Sequence, residues 1–338
     1  MKLYGGIVLH SNNCVIELLD ENDQSVFQQR MGNDLPRILS KLAPWQSAIQ
    51  GVAVESTFNW YWLVDGLMDA GYRVHLVNTA AVRKYEGLKY TDDHSDSRWL
   101  AHLLRLGILP EGHIYPREER AVRDLLRKRG QLVQQRASNI LSIGNLVSRN
   151  TGGSMSGNRI KKLRLEEVEE LFPDQSIALA VKSNLVVVQA LQEQVKLLEC
   201  AVKAQARLKP SYQILLSVPG IGEILGLTIM LETGDIQRFA KVGQYASYCR
   251  CVGSTWISNG KQKGKGNSKN GNKYLAWAFV EAANFAIRYN NRIKGYYQRK
   301  AAKTNPVVAK KTIAHKLARA CFYMMRDQKP FNLEKAFG

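Results

Sequence analysis

The fold is decided by the opening stretch MKLYGGIVLHSNNCVIELLDENDQSVFQQRM (1–31) and by the alternation of elements that follows it. Short apolar runs occupy 3–9 (LYGGIVL) and 14–19 (CVIELL), and the polar HSNN between them is typical of a β-hairpin. A third strand is predicted at 26–31 (VFQQRM). The chain is therefore predicted to begin with a three-stranded meander.

The next segment alternates helices with strands. We predict helices at 35–42, 59–70 and 93–106, and strands at 48–55 and 72–78. A glycine follows each of the last two helices and ends it. Strands that first pair in a meander and then alternate with helices predict an α/β domain with a mixed sheet.

Two long amphipathic helices follow, at 118–148 and 176–206, on either side of a flexible break, TGGSMSG, at 151–157. This order predicts an antiparallel helical arm, and its apolar spacing is typical of a helix bundle or coiled coil. Periodicity leaves two roles open. The arm either joins subunits or grips nucleic acid, or it is a spacer.

The last region is predicted to be mostly helical, including 275–325. At 215–239, LLSVPGIGEILGLTIMLETGDIQRF places PGIG between two apolar helical segments, which is typical of a helix-hairpin-helix-like motif. Its glycines would let backbone N–H groups approach a phosphate, and a plain helix turn is the alternative. The fold class is thus α/β plus α, with domains at 1–115, 116–207 (the arm) and 208–338.

The charge is concentrated near the end of the chain. The net charge is +19, and residues 250–338 contribute 19 Lys and Arg against 3 Asp and Glu. A phosphate polymer is the natural partner of such a surface, because neutralised phosphates release condensed counterions. The alternatives are a generally basic soluble protein and, lower in rank, a membrane surface, since neither a basic amphipathic helix with a clean apolar face nor a lipidation motif is present.

The chain has no apolar stretch of 18 residues, so no membrane span is expected. Its start turns polar at once and has no signal-peptide pattern. The five cysteines contain no CxxC, which predicts reduced thiols in a cytosolic protein.

One group of candidate site residues is acidic. Glu55 ends a buried strand, where an ionised carboxylate is costly unless it is paired or bound to metal. Asp93 and Asp96 lie three residues apart on one face at the start of a helix. Such carboxylates can hold hard cations such as Mg²⁺, which activate an oxygen nucleophile on phosphorus. The alternative for the two aspartates is helix capping and pairing with the helix dipole, and the alternative for Glu55 is a surface strand end. Asp92 is a neighbour that can substitute for either aspartate.

A second group is basic and lies in SNGKQKGKGNSKNGNKYL (258–275), which predicts a flexible cationic loop. Ser258 stands at its threshold, and Ser254 lies four residues earlier. A serine here is either a nucleophile on phosphorus or a phosphate-contacting hydroxyl, and spacing alone favours the second. The candidate nucleic-acid-binding residues are Lys261, Lys263, Lys265, Lys269, Lys273, Arg288 and Arg292.

Together these motifs resemble the DEDD transposases of bacterial insertion sequences, which are relatives of the pilin-gene invertases and act as bridge-RNA-guided recombinases. GGIVLHSNN, VAVEST around Glu55 and KYTDDHSDSRWLAHLLRLG around Asp93 and Asp96 resemble the family's RuvC-like domain. The PGIG segment and YCRCVGSTWISNGKQKGKGNSKNGNKYL resemble its transposase domain. The resemblance covers nearly the whole chain.

The resemblance implies a RuvC-like, RNase H-type fold with four acidic metal ligands and Mg²⁺ as cofactor. Three ligands carry over: Glu55, Asp93 and Asp96. The fourth, an aspartate on the first strand, is replaced by Val8, which has no metal-binding atom. We therefore expect impaired catalysis in this chain, with nucleic-acid binding retained.

The resemblance also implies a serine nucleophile that forms a covalent phosphoserine link to DNA. Ser258-Asn259-Gly260-Lys261 matches the family's Ser-Gly-Gly-Lys pattern with one departure, so Ser258 is our choice and Ser254 the runner-up. The implied partners are donor and target DNA and a bridge RNA. The implied assembly is a homodimer that pairs into a homotetramer, in the bacterial cytoplasm at the nucleoid and without a membrane.

Two alternatives to the recombinase remain. One is a RuvC-like, structure-specific nuclease that uses only the acidic residues. The other is a non-catalytic nucleic-acid-binding protein, which Val8 makes credible.

Overall fold

A computed structural model describes residues 1–82, 92–206, 209–265 and 270–338. Its contacts group the chain into two units. The first comprises Met1–Arg117 with Ser254–Asn270, and the second comprises Glu118–Gly253 with Gly271–Gly338. The three-domain division of the sequence stays a prediction.

The first unit contains the predicted meander and the alternation of strands and helices. Its elements up to the arm are β1 (Leu3–Leu9), β2 (Asn13–Leu19), β3 (Ser25–Gly32), α1 (Leu35–Leu42), β4 (Ile49–Glu55), α2 (Tyr61–Asp69), β5 (Val74–Val77) and α3 (Asp93–Arg105). Each predicted strand and helix of this region is present, with ends within two residues of those expected. The α/β character of the region is confirmed.

The five strands form one mixed sheet in the order β3-β2-β1-β4-β5. β1, β2 and β3 pair antiparallel, whereas β1, β4 and β5 run parallel. One face of the sheet packs on α1 and α2, and the other packs on α3. Gly6 permits this second contact, because a Cβ there would lie 2.0 Å from the Ser97 carbonyl oxygen in α3.

The last turns of α3 are anchored to the β2–β3 turn through Asp23. Arg105 donates two hydrogen bonds to its carboxylate, at 2.7 and 2.5 Å, and His102 Nδ1 lies 3.0 Å from it. Burial alone would raise the pKa of Asp23, but these contacts outweigh it and hold that pKa below its ordinary value. The position of α3 over the sheet thus depends on a charged anchor as well as on apolar packing.

The rest of the chain is mostly helical, apart from one β-hairpin that belongs to the first unit. The elements are α4 (Arg117–Thr151), α5 (Gly157–Ile160), α6 (Leu165–Leu171), α7 (Gln175–Ala206), α8 (Pro210–Leu215), α9 (Glu223–Thr233), α10 (Val242–Tyr248), β6 (Thr255–Ser258), β7 (Lys261–Lys265), α11 (Lys273–Tyr289), α12 (Asn291–Lys303), α13 (Pro306–Asp327) and α14 (Leu333–Phe337). This confirms the α/β plus α class.

The two long helices of the arm, α4 and α7, run antiparallel. Arg129 of α4 bonds Glu199 near the end of α7, at 2.8 Å, whereas Ser142, further along α4, lies 3.4 Å from Asn184, which comes earlier in α7. The order of contacts is therefore reversed along the two helices. The predicted break is shorter than expected, because α5 begins at Gly157.

The core of the second unit gathers around α9, α11 and α13. Gly220, in the PGIG turn before α9, has a φ of +91° and lies directly against α11. A Cβ at this position would lie 2.4 Å from the Ala282 carbonyl oxygen. Close helix packing therefore explains this glycine, as the plain-turn alternative anticipated.

Within the described residues, no helix is both long enough and apolar enough to cross a membrane. All five cysteines are free thiols. Burial raises the pKa of Cys251 to about 12, so its thiol is inert at neutral pH.

Candidate functional site

Val8 and Glu55 lie side by side on the face of the sheet that meets α3. β1 and β4 pair in parallel with Ile7 opposite Val54, which places the next residues, Val8 and Glu55, on the opposite face of the sheet from that pair. α3 begins at Asp93 over this same face. The sheet and one helix N-terminus thus bring the four sequence-predicted positions to one region of the first unit.

Capping of α3 is performed by Asp92. Its carboxylate accepts a hydrogen bond from the Ser95 backbone N–H at 2.8 Å, and its own N–H donates to the Ser95 hydroxyl at 2.9 Å. These bonds hold the pKa of Asp92 below its usual range. Because Asp92 fills the cap, capping by Asp93 or Asp96 is wrong, whereas both lie in the first turn of α3, where pairing with the helix dipole stays open.

Asp93 is held by Arg30 and His10. Arg30 of β3 donates to it at 2.5 Å, and His10 Nε2 lies 3.1 Å from its other oxygen. The hydrogen bond from Arg30 is the main reason that the pKa of Asp93 is lowered. One of the three carboxylates is therefore already neutralised by the chain's own residues.

The pKa of Glu55 is raised, whereas that of Asp93 is lowered. Burial raises the pKa of Glu55, the Leu9 backbone N–H and His10 oppose the rise, and the like charges of Asp96 and Asp93 add to it. The three carboxylates are thus close enough to interact electrostatically. The joint role of Glu55, Asp93 and Asp96 as one acidic site stays a prediction.

Position 8 interrupts the acidic group with an apolar side chain. Val8 is 4% exposed and packs with Ala53, Val77 and Leu100. It supplies no oxygen between Glu55 and the N-terminus of α3.

The family resemblance implies a divalent metal here, and the residues present fit it poorly. Three carboxylates are the donors a hard cation prefers. However, Asp93 is engaged by Arg30 and His10, and across the described residues no group of three metal-binding side chains is arranged to hold an ion. The residues present therefore do not by themselves make a metal site.

Ser258 lies at the tip of a β-hairpin. It pairs with Lys261 across the two-residue turn Asn259-Gly260, in which both residues have positive φ, 49° and 70°. This is a type I′ turn, for which Asn-Gly is the preferred sequence. The prediction of a flexible loop starting at Ser258 is wrong for residues 258–265, because the Asn-Gly signal within the lysine-rich stretch was missed.

The hairpin presents its polar groups to solvent. Ser258, Lys261 and Lys263 are exposed, and so is Ser254 just before β6. Lys265 ends β7, whereas Lys269 lies outside the described residues. The end of this segment bonds to the rest of the first unit. Asn78, which follows β5, donates to the Asn270 side chain at 3.1 Å.

The two ends of the segment that carries the hairpin are clasped together in the second unit. Arg250 donates to the Gly271 carbonyl at 2.9 Å, and the Asn272 N–H donates to the Tyr248 carbonyl at 2.6 Å. Gly271 is required here, because its φ is +88° and a Cβ would lie 2.6 Å from the Tyr248 carbonyl oxygen. The chain therefore leaves and re-enters the second unit at one fixed point.

Glu232 anchors this clasp and was missed by sequence reasoning. Its carboxylate is 2% exposed and accepts hydrogen bonds from Arg127 at 2.6 and 2.8 Å and from Asn272 at 2.7 Å. The available signal was an acid near the end of a largely apolar helical stretch, LGLTIMLET, where burial demands a partner.

The remaining predicted cations have different surroundings. Lys273 and the 46%-exposed Trp277 border a cavity of about 720 Å³ between α4, α9 and α11. Arg288 lies over the exposed ring of Tyr289, at 5.4 Å. Arg292 is paired with Glu334 at 3.2 Å, so its charge is partly compensated.

Both parts of the chain match transposase family models. A DEDD transposase model of IS110-type elements, described as a transposase, matches residues 6–149. A second model, described as the transposase IS116/IS110/IS902 family, matches residues 212–298. The first range contains the acidic residues and Val8, and the second contains Ser258.

Two relatives carry transposase names. A Pseudomonas aeruginosa protein described as a probable family 20 transposase is 24% identical over 245 residues, which is 70% of this chain and 71% of the relative. A Coxiella burnetii transposase for insertion sequence element IS1111A is 26% identical over 178 residues, 51% of this chain and 48% of the relative.

Proposed function

Because this chain belongs to the bacterial insertion-sequence transposases of the IS116/IS110/IS902 type, we propose that it recombines DNA through Ser258 under the guidance of a bridge RNA, and that Val8 impairs this chemistry. The acidic and basic regions then serve one reaction on a phosphodiester.

The sheet supports a RuvC-like, RNase H-type assignment for the first unit. Three antiparallel strands continue into two parallel strands, with Glu55 at the end of β4 and α3 across the face. In this arrangement the N-terminus of α3 supplies Asp93 and Asp96, and the first strand supplies position 8.

Ser258 is suited to attack because the type I′ turn presents it at an exposed tip beside Lys261. Its Oγ forms a bond to phosphorus while the bond from phosphorus to the departing sugar oxygen breaks. The serine loses its proton, and the departing oxygen takes one up and leaves as a hydroxyl. The product is a phosphoserine link. A hydroxyl of another strand then attacks its phosphorus, and the bond to Ser258 breaks as the serine takes up a proton.

The observation that carries the proposal is the position of Val8. Val8 lies beside Glu55 on the sheet face that packs against α3, at the position where the family has an aspartate. A divalent ion such as Mg²⁺, when bound by a complete acidic set, would stabilise charge on the phosphate oxygens. An aspartate at this position would complete that set, whereas valine leaves the like charges of Glu55, Asp93 and Asp96 without a bound cation.

The test compares Val8→Asp with Val8→Asn, which has nearly the same shape without the charge. Each protein is mixed with Mg²⁺, labelled DNA spanning the element's junction, and RNA transcribed from its flank. We expect Val8→Asp to form a protein–DNA adduct stable in denaturant, at least about 100-fold above wild type, because even outer-shell changes at metal sites cost 10–100-fold. Equal adduct in wild type and Val8→Asp would sink the proposal.

The serine assignment is tested in the Val8→Asp background. Ser258→Ala should abolish the adduct, whereas Ser254→Ala should retain it. If Ser258→Ala in this background still nicks DNA as fast as Val8→Asp alone, the protein is a RuvC-like nuclease that uses only the acids. If no variant cleaves DNA while all of them bind it, the protein is a non-catalytic nucleic-acid-binding protein.

The partners follow from the same proposal. Donor and target DNA contact the basic region that includes Lys261, Lys263 and Lys273, and a bridge RNA pairs with both. The protein acts at the bacterial nucleoid in the cytoplasm as a dimer that pairs into a tetramer. Sequencing of co-purified RNA should find one discrete species, and random fragments would contradict guidance.

A further inference from the structure

A cavity of about 560 Å³ lies near the end of the chain, between α13 and the segment that follows it. It is outside both regions that match the family models. The residues of its lining that carry charge or an aromatic ring include Lys316, Arg319, Tyr323, Lys329, Phe331 and Lys335.

The cavity is strongly cationic. Its lining holds four basic side chains and one carboxylate, Asp327, which is itself bound by Arg326 at 2.6 and 3.1 Å. No ion pair joins Arg319, Lys329 or Lys335 to an acid anywhere in the described part of the chain. These three charges are therefore available to an anionic ligand.

The wall is rigid enough to present those charges in a fixed place. Lys316 donates to the Ala336 carbonyl at 2.9 Å and lies over the rings of Phe337 and Tyr296, at 5.5 and 5.0 Å. These contacts tie α14 to α13 and α12. The segment with Lys329 and Lys335 is thus packed against α13 on the far side of the cavity.

The cavity also offers an aromatic surface. Tyr323 is 39% exposed, packs edge-on against Phe322 at 5.3 Å and has Arg326 4.9 Å from its ring centre. A phosphate ion alone would leave this ring unused. The volume falls within the range of roughly 300–1,000 Å³ that holds organic ligands.

We propose that this cavity takes one unpaired nucleotide of a nucleic-acid strand, with its base against Tyr323 and its phosphate between Arg319 and Lys335. A base in a duplex is stacked on both sides and does not enter such a cavity, so the ligand is single-stranded. The proposal rests on the proposed function only in requiring that the protein meets single-stranded nucleic acid. It assigns a contact outside the hairpin and the acidic residues.

The test uses the full chain and fluorescence anisotropy. The probes are a single-stranded RNA of about 12 nucleotides, the DNA strand of the same sequence, and the matching DNA duplex. Adenosine monophosphate and a polyglutamate peptide serve as competitors. The variants are Tyr323→Ala, Tyr323→Phe, and Arg319→Ala with Lys335→Ala. The control variant combines Arg37→Ala with Lys41→Ala. It removes two exposed cations of α1, the same charge as the Arg319/Lys335 double variant, away from the cavity.

Tyr323→Ala should weaken single-strand binding about tenfold, as expected for one lost stacking contact, and leave duplex binding unchanged. Tyr323→Phe should bind like wild type. The Arg319/Lys335 double variant should lower the slope of log affinity against log salt by about 1.4 for single strands, and the control pair should leave that slope unchanged. If thermal melting shows that Tyr323→Ala is unfolded, the Arg319/Lys335 double variant tests the proposal instead.

Several results would overturn the proposal. Wild-type affinity of both cavity variants for single strands excludes the site. Equal loss for duplex and single strand indicates a general basic surface, and stronger competition by polyglutamate than by adenosine monophosphate indicates an acidic peptide. If wild type binds no nucleic acid at all, the proposed function fails too. If wild type binds nucleic acid and the cavity variants bind duplex and single strand as well as wild type does, only this inference fails. Preference between the RNA and DNA probes identifies the source of the strand.

Discussion

The acidic group and the serine hairpin are built in opposite ways. The acidic group is set on a sheet packed on both faces, with Glu55, Val8 and α3 positioned by buried contacts. The hairpin has an exposed tip and is shaped by its own two-residue turn. The first is tightly packed, with an apolar residue at position 8, whereas the second is exposed and has little packing.

This difference indicates where each region is sensitive to change. A packed frame tolerates surface substitutions but is sensitive to buried ones, and under the proposed function Val8 is such a replacement. A hairpin with an exposed tip depends on backbone conformation and on distant anchors. The following changes test that contrast, from the largest expected effect to the smallest.

Glu232→Gln should have the largest effect, because it leaves Arg127 without its buried counter-charge beneath the clasp. We expect a loss of about 3 kcal/mol in the free energy of unfolding, lowering Tm by roughly 6–10 °C. Differential scanning calorimetry measures it. Glu223→Gln, which removes an exposed acid in the first turn of the same helix that pairs with Lys203, should change stability by less than about 1 kcal/mol. Equal effects would contradict the anchoring role.

Gly260→Ala should distort the hairpin tip, because a φ of +70° costs an L-residue about 1 kcal/mol. In the Val8→Asp background we expect adduct formation to fall about fivefold, which corresponds to that energy. Gly264→Ala is the matched control, since an added Cβ there meets nothing within 4 Å. A similar loss in both variants would show that the turn conformation is unimportant.

Asp23→Asn should have the smallest effect, because it weakens only the anchor of α3. The pKa of Asp23 is lowered in the folded state, so its contribution to stability is present above its ordinary pKa and is lost as pH falls through the lowered one. We expect Tm to be about 2–4 °C lower than wild type at pH 7, with the difference shrinking as pH falls below the ordinary pKa of an aspartate and vanishing once Asp23 is protonated in the folded protein. Asparagine tolerates the positive φ of this turn.

The control for that pH series is Glu21→Gln, which removes an acid from the same turn. It should shift Tm by less than Asp23→Asn at pH 7. A difference between Asp23→Asn and wild type that is independent of pH would contradict an electrostatic anchor.

The sequence predicts the first unit closely because its signals are local. Alternating apolar residues and glycine stops place β1, α1 and α3 within a residue or two, and Glu55 follows from the end of a buried strand. The resemblance adds the role of position 8. That Val8 lies beside Glu55 depends on the parallel pairing of β1 with β4, which the sequence does not specify.

The hairpin and its base are less predictable, because their signals are masked or join residues far apart in the chain. The Asn259-Gly260 turn is a local signal, but the surrounding lysines and glycines mask it. Glu232, Arg127 and Asn272 meet across 105 and 40 residues of chain, so no local pattern joins them. The grouping of residues 254–270 with the first unit is likewise a tertiary property.

Metal binding itself tests the central claim most directly. Mn²⁺, as a paramagnetic substitute for Mg²⁺, can be titrated into wild type, Val8→Asp and the Val8→Asp/Glu55→Gln double variant, with free ion measured by electron paramagnetic resonance. We predict that Val8→Asp binds at least about 100-fold more tightly than wild type and that the double variant loses most of this gain. Equal affinity in wild type and Val8→Asp would contradict the claim that Val8 leaves the acidic group one ligand short.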